Sequence, residues 1–307
     1  MAVLQESFPA MGSTCELTVV GGTEFHVERA RRRIDELEAR WSRFRADSEI
    51  TRLNQRSGWA TGLTADSYLL VDHAVAGWWW TAGRYDPTVL HAVEAAGYDR
   101  SFELVPASHP SLRAAEPAPG CAGVLLDPYL QAVTFPVGVG FDPGGIGKGL
   151  ATDLVVDLLL AEGARGACVC LGGDARVAGE PPVGGWRVGV ANPYNSDELL
   201  TVVRLGNHGI ATSSRMVRRW SAGGTARHHL IDPRTGYPAD SGLDSVTVIA
   251  GDAWVAEILT KAAFVAGAED GAQLISSVGA VGLLVAGLDR MITAGPFTSF
   301  VEPVPAL

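Results

Sequence analysis

Hydrophobic and polar residues follow two different periods along this chain, and each period predicts one kind of element. A spacing of three or four positions, which places apolar side chains on one face of a helix, begins at Val27. The members of this predicted face are Val27, Ala30, Ile34, Leu37, Trp41 and Phe44. A second predicted helix face consists of Leu150, Leu154, Leu158 and Ala161, with Gly163 ending the helix.

Short apolar runs between these helices predict strands. The runs are "STCELTVVGG", "ACVCL", "WRVGV" and "SVTVIA", and a last strong helix is predicted for "DAWVAEILTKAAFVAG". The elements mix without a repeat, and no linker divides the chain cleanly. We therefore predict mixed α and β structure in one domain over residues 1–307, built from two packed lobes.

Composition narrows the range of partners. The net charge of −10 and the pI near 5.2 argue against nucleic-acid binding. The late apolar run "GAVGLLVAGL" is too short to cross a bilayer, and the first residues show no export signal, so we expect no membrane insertion. Cys15, Cys121, Cys168 and Cys170 form no C-x-x-C pair and suggest reduced thiols, which favours a cytoplasmic location.

The stretch "FDPGGIGKGLATD" has the composition of a phosphate-binding loop. It does not match a P-loop, because Asp142 and Gly149 occupy the positions that need Gly and Ser or Thr. It also does not match the G-x-G-x-x-G dinucleotide fingerprint, because its glycines are compressed by one residue. Glycines, a helix start and Lys148 still suit an anion. A glycine-rich turn that simply leads into a structural helix remains the alternative.

Two further polar clusters follow predicted elements. "LGGDAR" places Asp174 after a buried strand, where we expect a glycine turn to expose it. "HHLIDPRTGYP" joins a histidine pair to Leu230-Ile231 and to an Asp-Pro turn. Taken singly, the histidine is most simply a satisfied structural residue, and Asp232 is most simply a turn-former.

The order of these clusters, however, resembles that of the FAD:protein FMN transferase (ApbE) family. The blocks that carry the resemblance are "MGST", "WSRFRADSEITRLN", "GRYDPTV", "FDPGGIGKGLATD", "LGGDARVAG", "GIATSS" and "HHLIDPRTGYP". The resemblance implies an α+β, two-lobed fold with FAD in the cleft between the lobes. It also implies that FAD is cleaved at its pyrophosphate, that FMN is esterified to a Thr or Ser of an acceptor protein, and that AMP leaves.

The resemblance further implies a set of site residues. His229 would be the general base, Lys148 would face the diphosphate, and Phe44 stands where many relatives have tyrosine. The FAD-site residues so implied are Met11, Phe44, Arg84, Tyr85, Asp86, Asp142, Lys148, His229 and Ile231.

One block departs from the family pattern at its Mg²⁺ site. The resemblance implies that the carbonyl of Gly145 and two side chains of the last predicted helix bind Mg²⁺. Those two positions, an aspartate and a threonine in the family, hold Glu257 and Lys261 here. Glutamate can still bind Mg²⁺, but an ammonium has no acceptor, and Thr260 points about 100° away around the helix.

Two hypotheses therefore stay open. The first is an FMN transferase with an intact His229, and the second is an FAD-binding homologue that has lost or changed the Mg²⁺-dependent transfer. The second would be a flavin-binding protein, an FAD hydrolase or a protein with a repurposed activity.

Overall fold

The computed structural model of the chain describes residues 2–109, 114–222 and 224–302. Its helices are α1 (Glu24–Trp41), α2 (Glu49–Gln55), α3 (Ala65–Trp80), α4 (Leu90–Ala95), α5 (Gly147–Ala161), α6 (Ala253–Ala266) and α7 (Ala268–Ser277). Its first strands are β1 (Val3–Ala10), β2 (Ser13–Val20), β3 (Thr61–Gly62), β4 (Ser108–His109), β5 (Leu125–Asp127), β6 (Ala132–Thr134), β7 (Gly166–Leu171) and β8 (Asp174–Gly179). The remaining strands are β9 (Trp186–Asn192), β10 (Asn195–Leu205), β11 (His208–Ser214), β12 (Arg219–Ala222), β13 (Thr225–His228), β14 (Ser245–Ala250), β15 (Val281–Val285) and β16 (Met291–Ala294).

The central sheet has eight strands in the order β1-β2-β7-β8-β11-β14-β15-β16, and every neighbouring pair is antiparallel. Smaller sheets are formed by β9 with β10, by β3, β6 and β5, and by β13, β12 and β4. The prediction of an α+β fold is therefore confirmed. An antiparallel sheet also explains why the glycine loop does not follow the dinucleotide fingerprint, which belongs to a parallel βαβ unit.

The central sheet is covered on both faces, and β7 shows how. Ala167, Val169 and Leu171 belong to the cluster that α1, α3 and α5 form with one face. Cys168 and Cys170 point to the other face, where they pack with apolar residues of the β9–β10 hairpin. Because successive strand residues face opposite sides, a strand buried on both faces reads as a continuous apolar run.

Helices α5 and α6 lie unusually close together at their amino-terminal ends. A Cβ on Gly149 would come within 2.6 Å of the carbonyl oxygen of Ala253 and 2.8 Å of the Cα of Trp254. Only glycine fits this contact. As a result, the start of α5, which follows the glycine loop, lies directly against the first turns of α6.

Two expectations about packing are corrected. Helix α1 ends at Trp41, so Phe44 lies beyond the helix whose face it was predicted to share. Of the predicted α5 face, Leu150 is buried, Leu154 and Leu158 are only half-buried, and Ala161 is exposed. The fully buried residues of α5 are Ala151, Thr152, Val155, Val156 and Leu159. Helix α5 contacts the sheet, α1 and α6 at once, so its leucines do not mark a single face.

The three tryptophans at the end of α3 are buried to different degrees, and Trp78 and Trp80 are half-buried against the core. Trp79 is 62% exposed, because neighbouring helix residues point about 100° apart and cannot all face the core. Within the described residues, no helix is long and apolar enough to span a membrane.

Candidate functional site

A cleft of about 270 Å³ gathers the residues that the sequence singled out. It is lined by parts of the β1–β2 turn, the segment after α1, the turn after α3, the glycine loop, α6 and the segment after β13. Every predicted FAD-site residue lines it: Met11, Phe44, Arg84, Tyr85, Asp86, Asp142, Lys148, His229 and Ile231. Gly145 and Lys261 line it as well, while Glu257 lies fully buried behind its wall.

Met11 reaches the cleft from a tight turn. The β1–β2 hairpin closes through Met11 and Gly12, which have φ values of 49° and 61°. Two positive φ angles are typical of a type I′ hairpin turn, and they are unfavourable for a residue with a side chain. The Met11 amide donates a 2.7 Å hydrogen bond to Oε2 of Glu38 in α1, which holds this conformation in place.

One end of the cleft is built from aromatic rings and arginines, and we call it the aromatic end (Arg43, Phe44, Tyr98, Phe102 and Arg218). The guanidinium of Arg43 lies 4.2 Å from the Phe44 ring centre and 4.9 Å from that of Tyr98. Arg218 donates to the Tyr98 hydroxyl at 3.1 Å and lies 5.9 Å from the Phe102 ring. Flat, partly exposed rings beside cations suit a planar aromatic ligand.

Asp86 and Asp142 shape the backbone around the cleft. Asp86 accepts hydrogen bonds from the amide and hydroxyl of Thr88 at 2.8 and 2.6 Å and from the Trp78 indole at 3.0 Å. Burial nevertheless raises the pKa of Asp86. Asp142 accepts from the Gly144 amide at 2.8 Å and lies 3.6 Å from Nε of Arg43. Both carboxylates therefore order turns, in addition to any ligand contact.

Gly145 must be glycine because of Tyr85. A Cβ at Gly145 would come within 2.7 Å of the Tyr85 ring, so the ring packs directly on the loop backbone. The Tyr85 hydroxyl is buried and has no hydrogen-bond partner among the described residues. Burial raises its pKa well above the ordinary tyrosine value, so it stays a neutral donor. A buried hydroxyl without a partner is costly, which is consistent with a site that a ligand completes.

The other end of the cleft holds four charged residues, and we call it the lysine end (Lys148, Asp174, Glu257 and Lys261). Lys148 forms a short ion pair with Oδ2 of Asp174. Glu257 Oε1 lies 3.0 Å from Nζ of Lys261 and 3.6 Å from Nζ of Lys148. The two carboxylate side chains are at most 1% exposed, whereas the lysine side chains are 20% and 18% exposed. The carboxylates therefore lie behind, and the ammonium groups face the cleft.

Glu257 also supports the start of α5. Its Oε2 accepts a 2.7 Å hydrogen bond from the Gly149 amide, one of the N–H groups that a helix leaves without a backbone partner. Burial alone would raise the pKa of Glu257, but Lys261, Lys148 and the Gly149 amide outweigh it, so its pKa is lowered. Burial likewise opposes the charge on Lys148, yet Asp174 and Glu257 raise its pKa. Burial raises the pKa of Asp174, although the nearby charge of Lys148 opposes this rise. Lys148 and Glu257 therefore carry opposite charges, and Asp174 pairs with the Lys148 ammonium.

The residues at the lysine end do not fit Mg²⁺. Both Glu257 oxygens already accept from an amide or an ammonium, and Lys261 offers no acceptor. The Thr260 hydroxyl bonds instead to the Glu257 carbonyl at 2.7 Å and to Ser213 at 2.7 Å. Across the part of the chain that the structure describes, no group of three or more His, Cys, Asp or Glu side chains could hold a metal. The proposed Gly145–Glu257 metal pair stays an untested prediction that the donors present do not favour.

The histidine pair is divided between core and cleft. His228, the last residue of β13, packs its ring against Phe264 of α6, with ring centres 6.0 Å apart. His229 lines the cleft, and its Nδ1 has no hydrogen-bond partner within the described ranges. Burial, then the charges of Arg218 and Lys261, lower the pKa of His229 well below the ordinary value. His229 therefore offers a neutral ring nitrogen that can accept a proton.

Several residues of the two ends were not among the site residues predicted from the sequence. They are Asp174 at the lysine end, and Arg43, Tyr98, Phe102 and Arg218 at the aromatic end. Asp174 was expected to be exposed by its glycine turn, but it is 1% exposed and pairs with Lys148. The two-residue Gly172-Gly173 turn starts β8 directly at Asp174, which points the side chain toward α5. Arg218 lies on a segment without a distinctive motif. An aspartate at the start of a buried strand was the signal for Asp174, and no sequence signal marked Arg218.

The Asp232 turn, by contrast, agrees with its structural interpretation. Its carboxylate accepts from the Arg234 amide at 2.9 Å, and its carbonyl accepts from Gly236 at 2.8 Å. The turn returns the chain so that Ile231 pairs with Pro238. This places Ile231 in the cleft wall beside His229.

The fold and this cleft define an α+β protein whose one site has two lysines at one end and aromatic rings at the other. Comparison with known proteins identifies the family to which the chain belongs. The model of the ApbE family matches residues 11–284. The chain therefore belongs to the ApbE family.

Individual proteins give the same assignment. An FAD:protein FMN transferase of Klebsiella pneumoniae (strain 342) is 35% identical over 135 residues, covering 44% of this chain and 41% of that protein. Over this match the chain spans less than half of the relative's length. An FAD:protein FMN transferase of Vibrio cholerae is 27% identical over 245 residues, covering 78% of this chain and 73% of that protein.

A solved structure extends the likeness to the whole fold. The crystal structure of the ApbE protein from Thermotoga maritima superposes with a TM-score of 0.86 at 26% identity, covering 98% of this chain and all of that one. This confirms the predicted family and its α+β fold. The roles of individual cleft residues are not tested by these likenesses.

Proposed function

We propose that this protein transfers FMN from FAD to a Thr or Ser hydroxyl of an acceptor protein and releases AMP. The observation that carries the proposal is the convergence of the family's motif residues, far apart in sequence, on one cleft in a chain that belongs to the ApbE family. The names of the curated relatives favour transfer over the alternative of a flavin-binding protein without transfer.

The reaction is a phosphoryl transfer in which one phosphorus–oxygen bond forms and another breaks. The acceptor hydroxyl loses its proton to His229, and its oxygen bonds to the phosphorus of the FMN half. The bond from that phosphorus to the bridging oxygen breaks, and AMP leaves with that oxygen. His229 suits the proton transfer because it is neutral and faces the cleft.

The two ends of the cleft contact different parts of FAD. The ammonium groups of Lys148 and Lys261 offset charge on the diphosphate and on the departing AMP. The exposed ring of Phe44 offers a stacking surface to a flat heterocycle. Tyr85 supplies a neutral hydroxyl donor near the glycine loop.

The test combines two readouts. The protein is incubated with FAD and a soluble extract of its source cells, chromatography detects AMP, and flavin fluorescence on denaturing gels detects protein-bound flavin. We expect AMP and fluorescent protein bands to appear together and to require His229. AMP without labelled protein would indicate an FAD hydrolase, and intact FAD would indicate a binding protein.

A further inference from the structure

The lysines of this chain have an unusual distribution. The sequence contains 24 Lys and Arg residues, of which only Lys148 and Lys261 are lysines, so 22 are arginines. Both lysines meet at a single atom, Oε1 of Glu257, at 3.6 and 3.0 Å. Elsewhere this chain uses arginine for positive charge, so lysine is confined to one place in the fold.

The chemical difference between the two side chains indicates what that place requires. An ammonium is a compact point charge with three donors that point in different directions, whereas a guanidinium is a flat fork. Beside Glu257 there is room for two ammonium groups around one buried carboxylate. Each ammonium can then keep donors free for a ligand on the cleft side.

Stability alone does not explain this arrangement. Apolar residues of similar volume commonly replace a buried ion pair without loss of stability, because desolvation consumes most of the attraction between the charges. Apart from Thr260, whose hydroxyl is hydrogen-bonded, helix α6 is apolar around this point, with Ile258, Leu259 and Ala262 fully buried. A charged pair in such a helix, with its cation turned to a cleft, points to an anionic ligand.

We propose that the ammonium groups of Lys148 and Lys261, held by Glu257, bind the diphosphate of FAD without a divalent metal ion. The proposal rests on the proposed function only in taking FAD as the ligand, and it concerns binding rather than transfer. Two single charges on one carboxylate occupy the place where a metal would need oxygen ligands, and they repel a further cation. Asp174 holds Lys148 from its other side, so the pair has fixed positions.

The first test measures FAD affinity by calorimetry, once with excess EDTA and once with excess Mg²⁺. We expect the two dissociation constants to agree within about threefold, because no metal takes part. Tighter binding in Mg²⁺ by more than that would overturn the proposal. Because only binding is measured, the result does not depend on whether FMN is transferred.

The second test removes the charge. In EDTA, Lys261→Met should weaken FAD binding by about tenfold or more, since a charge-assisted contact to phosphate is lost, while riboflavin binding stays the same. Arg219→Met is the matched control, because this exposed cation lies next to cleft-lining Arg218 but outside the cleft. Unchanged FAD affinity in Lys261→Met would overturn the proposal. If that variant does not fold, Glu257→Gln with Lys261→Met keeps an acceptor for the Gly149 amide and serves in its place.

The third test uses the scarcity of lysine. Protein labelled with ¹⁵N at lysine Nζ has just two labelled side chains, so each resonance reports one ammonium group. In EDTA, both resonances should shift when FAD is added. Mn²⁺ should broaden neither resonance in the free protein, and strong broadening of both would place a metal at the lysine end and contradict the proposal.

Discussion

At the lysine end of the cleft, positive charge is held by buried carboxylates, whereas at the aromatic end the arginines lie over rings. Lys148 and Lys261 project from helices and pair with Asp174 and Glu257, which are at most 1% exposed. Arg43 and Arg218 come from connecting segments instead, and Phe44 beside them is 38% exposed.

The difference matters because the two ends respond differently to change. Removing one member of a buried ion-pair network strongly destabilises the folded protein, because its partner is left charged and unpaired. A single aromatic contact, such as that of the exposed Phe44 ring, contributes a smaller increment. We expect the lysine end to set both stability and recognition of phosphate, and the aromatic end to tune affinity for the flat parts of the ligand.

The largest expected difference between the two ends is the effect of removing Glu257 on stability. Glu257→Ala should lower the free energy of unfolding by about 3–5 kcal/mol, because it leaves Lys261 without its carboxylate, Lys148 with Asp174 alone, and the Gly149 amide without its acceptor. Urea unfolding measures this. Glu269→Ala is the matched control, since Glu269 pairs with Arg290 at the surface and should change stability little. Equal effects of the two variants would contradict the picture of a buried network.

The next effect concerns chemistry beside the lysine end. His229→Ala should slow FMN transfer by about 10²- to 10⁴-fold, the range expected for a lost general base, while FAD affinity changes little. AMP release and protein-bound flavin fluorescence measure transfer, and calorimetry measures binding. Unaltered transfer would show that another group takes the proton. His91→Ala, an exposed histidine outside the cleft, is the control.

The two ends can then be compared directly by ligand choice. Lys148→Met should weaken FAD far more than riboflavin, because riboflavin has no phosphate for the ammonium to meet. Phe44→Ala should weaken both ligands by a similar factor of about three to ten, the worth of one aromatic contact. The dissociation constants of FAD and of riboflavin, each measured for both variants and for the unmodified protein, test this prediction. Equal weakening of FAD and riboflavin by Lys148→Met would show that Lys148 does not face the phosphates.

The smallest expected effect is the pH dependence that the buried histidine pair adds. Burial lowers the pKa of His228 from 6.5 to about 4 in the folded protein, so between these values the unfolded chain binds more protons. Stability should therefore fall as the pH drops through this window, by on the order of 1 kcal/mol from this residue between pH 7 and 5. Urea unfolding of the protein and of His228→Gln measures the difference, and the variant should show the shallower slope. A steeper slope in the variant would contradict the assignment.

Much of the fold could be predicted from the sequence because the signals are local. The strands "STCELTVVGG", "ACVCL", "WRVGV" and "SVTVIA" and the helix around Glu257 appear where their apolar patterns placed them. Gly163 ends the predicted α5 region with a φ of 100°, as a glycine after a helix commonly does. The ordered motifs also indicated the family and the members of the cleft.

The buried face of α5 and the burial of Asp174 were predicted wrongly for one common reason. Each of these parts of the chain packs against more than one other element. Helix α5 is apolar almost all round, so its leucine spacing could not show that Ala151 and Val155 face the deepest core. Asp174 follows a glycine turn that looks exposed in sequence. Only the approach of α5 over that turn buries it.

What the sequence determined by itself is therefore the set of elements, the ordered motifs and the identity of the residues brought to the cleft. What the tertiary structure alone decided is how those residues pair: Lys148 with Asp174, 26 positions away, and Gly149 with Glu257, 108 positions away. Local patterns record the period of a helix or strand, but an ion pair depends on where separate elements meet. The close contact of α5 and α6 at Gly149 sets that meeting point, and it brings Lys148 to Glu257, the buried carboxylate that Lys261 already contacts within α6.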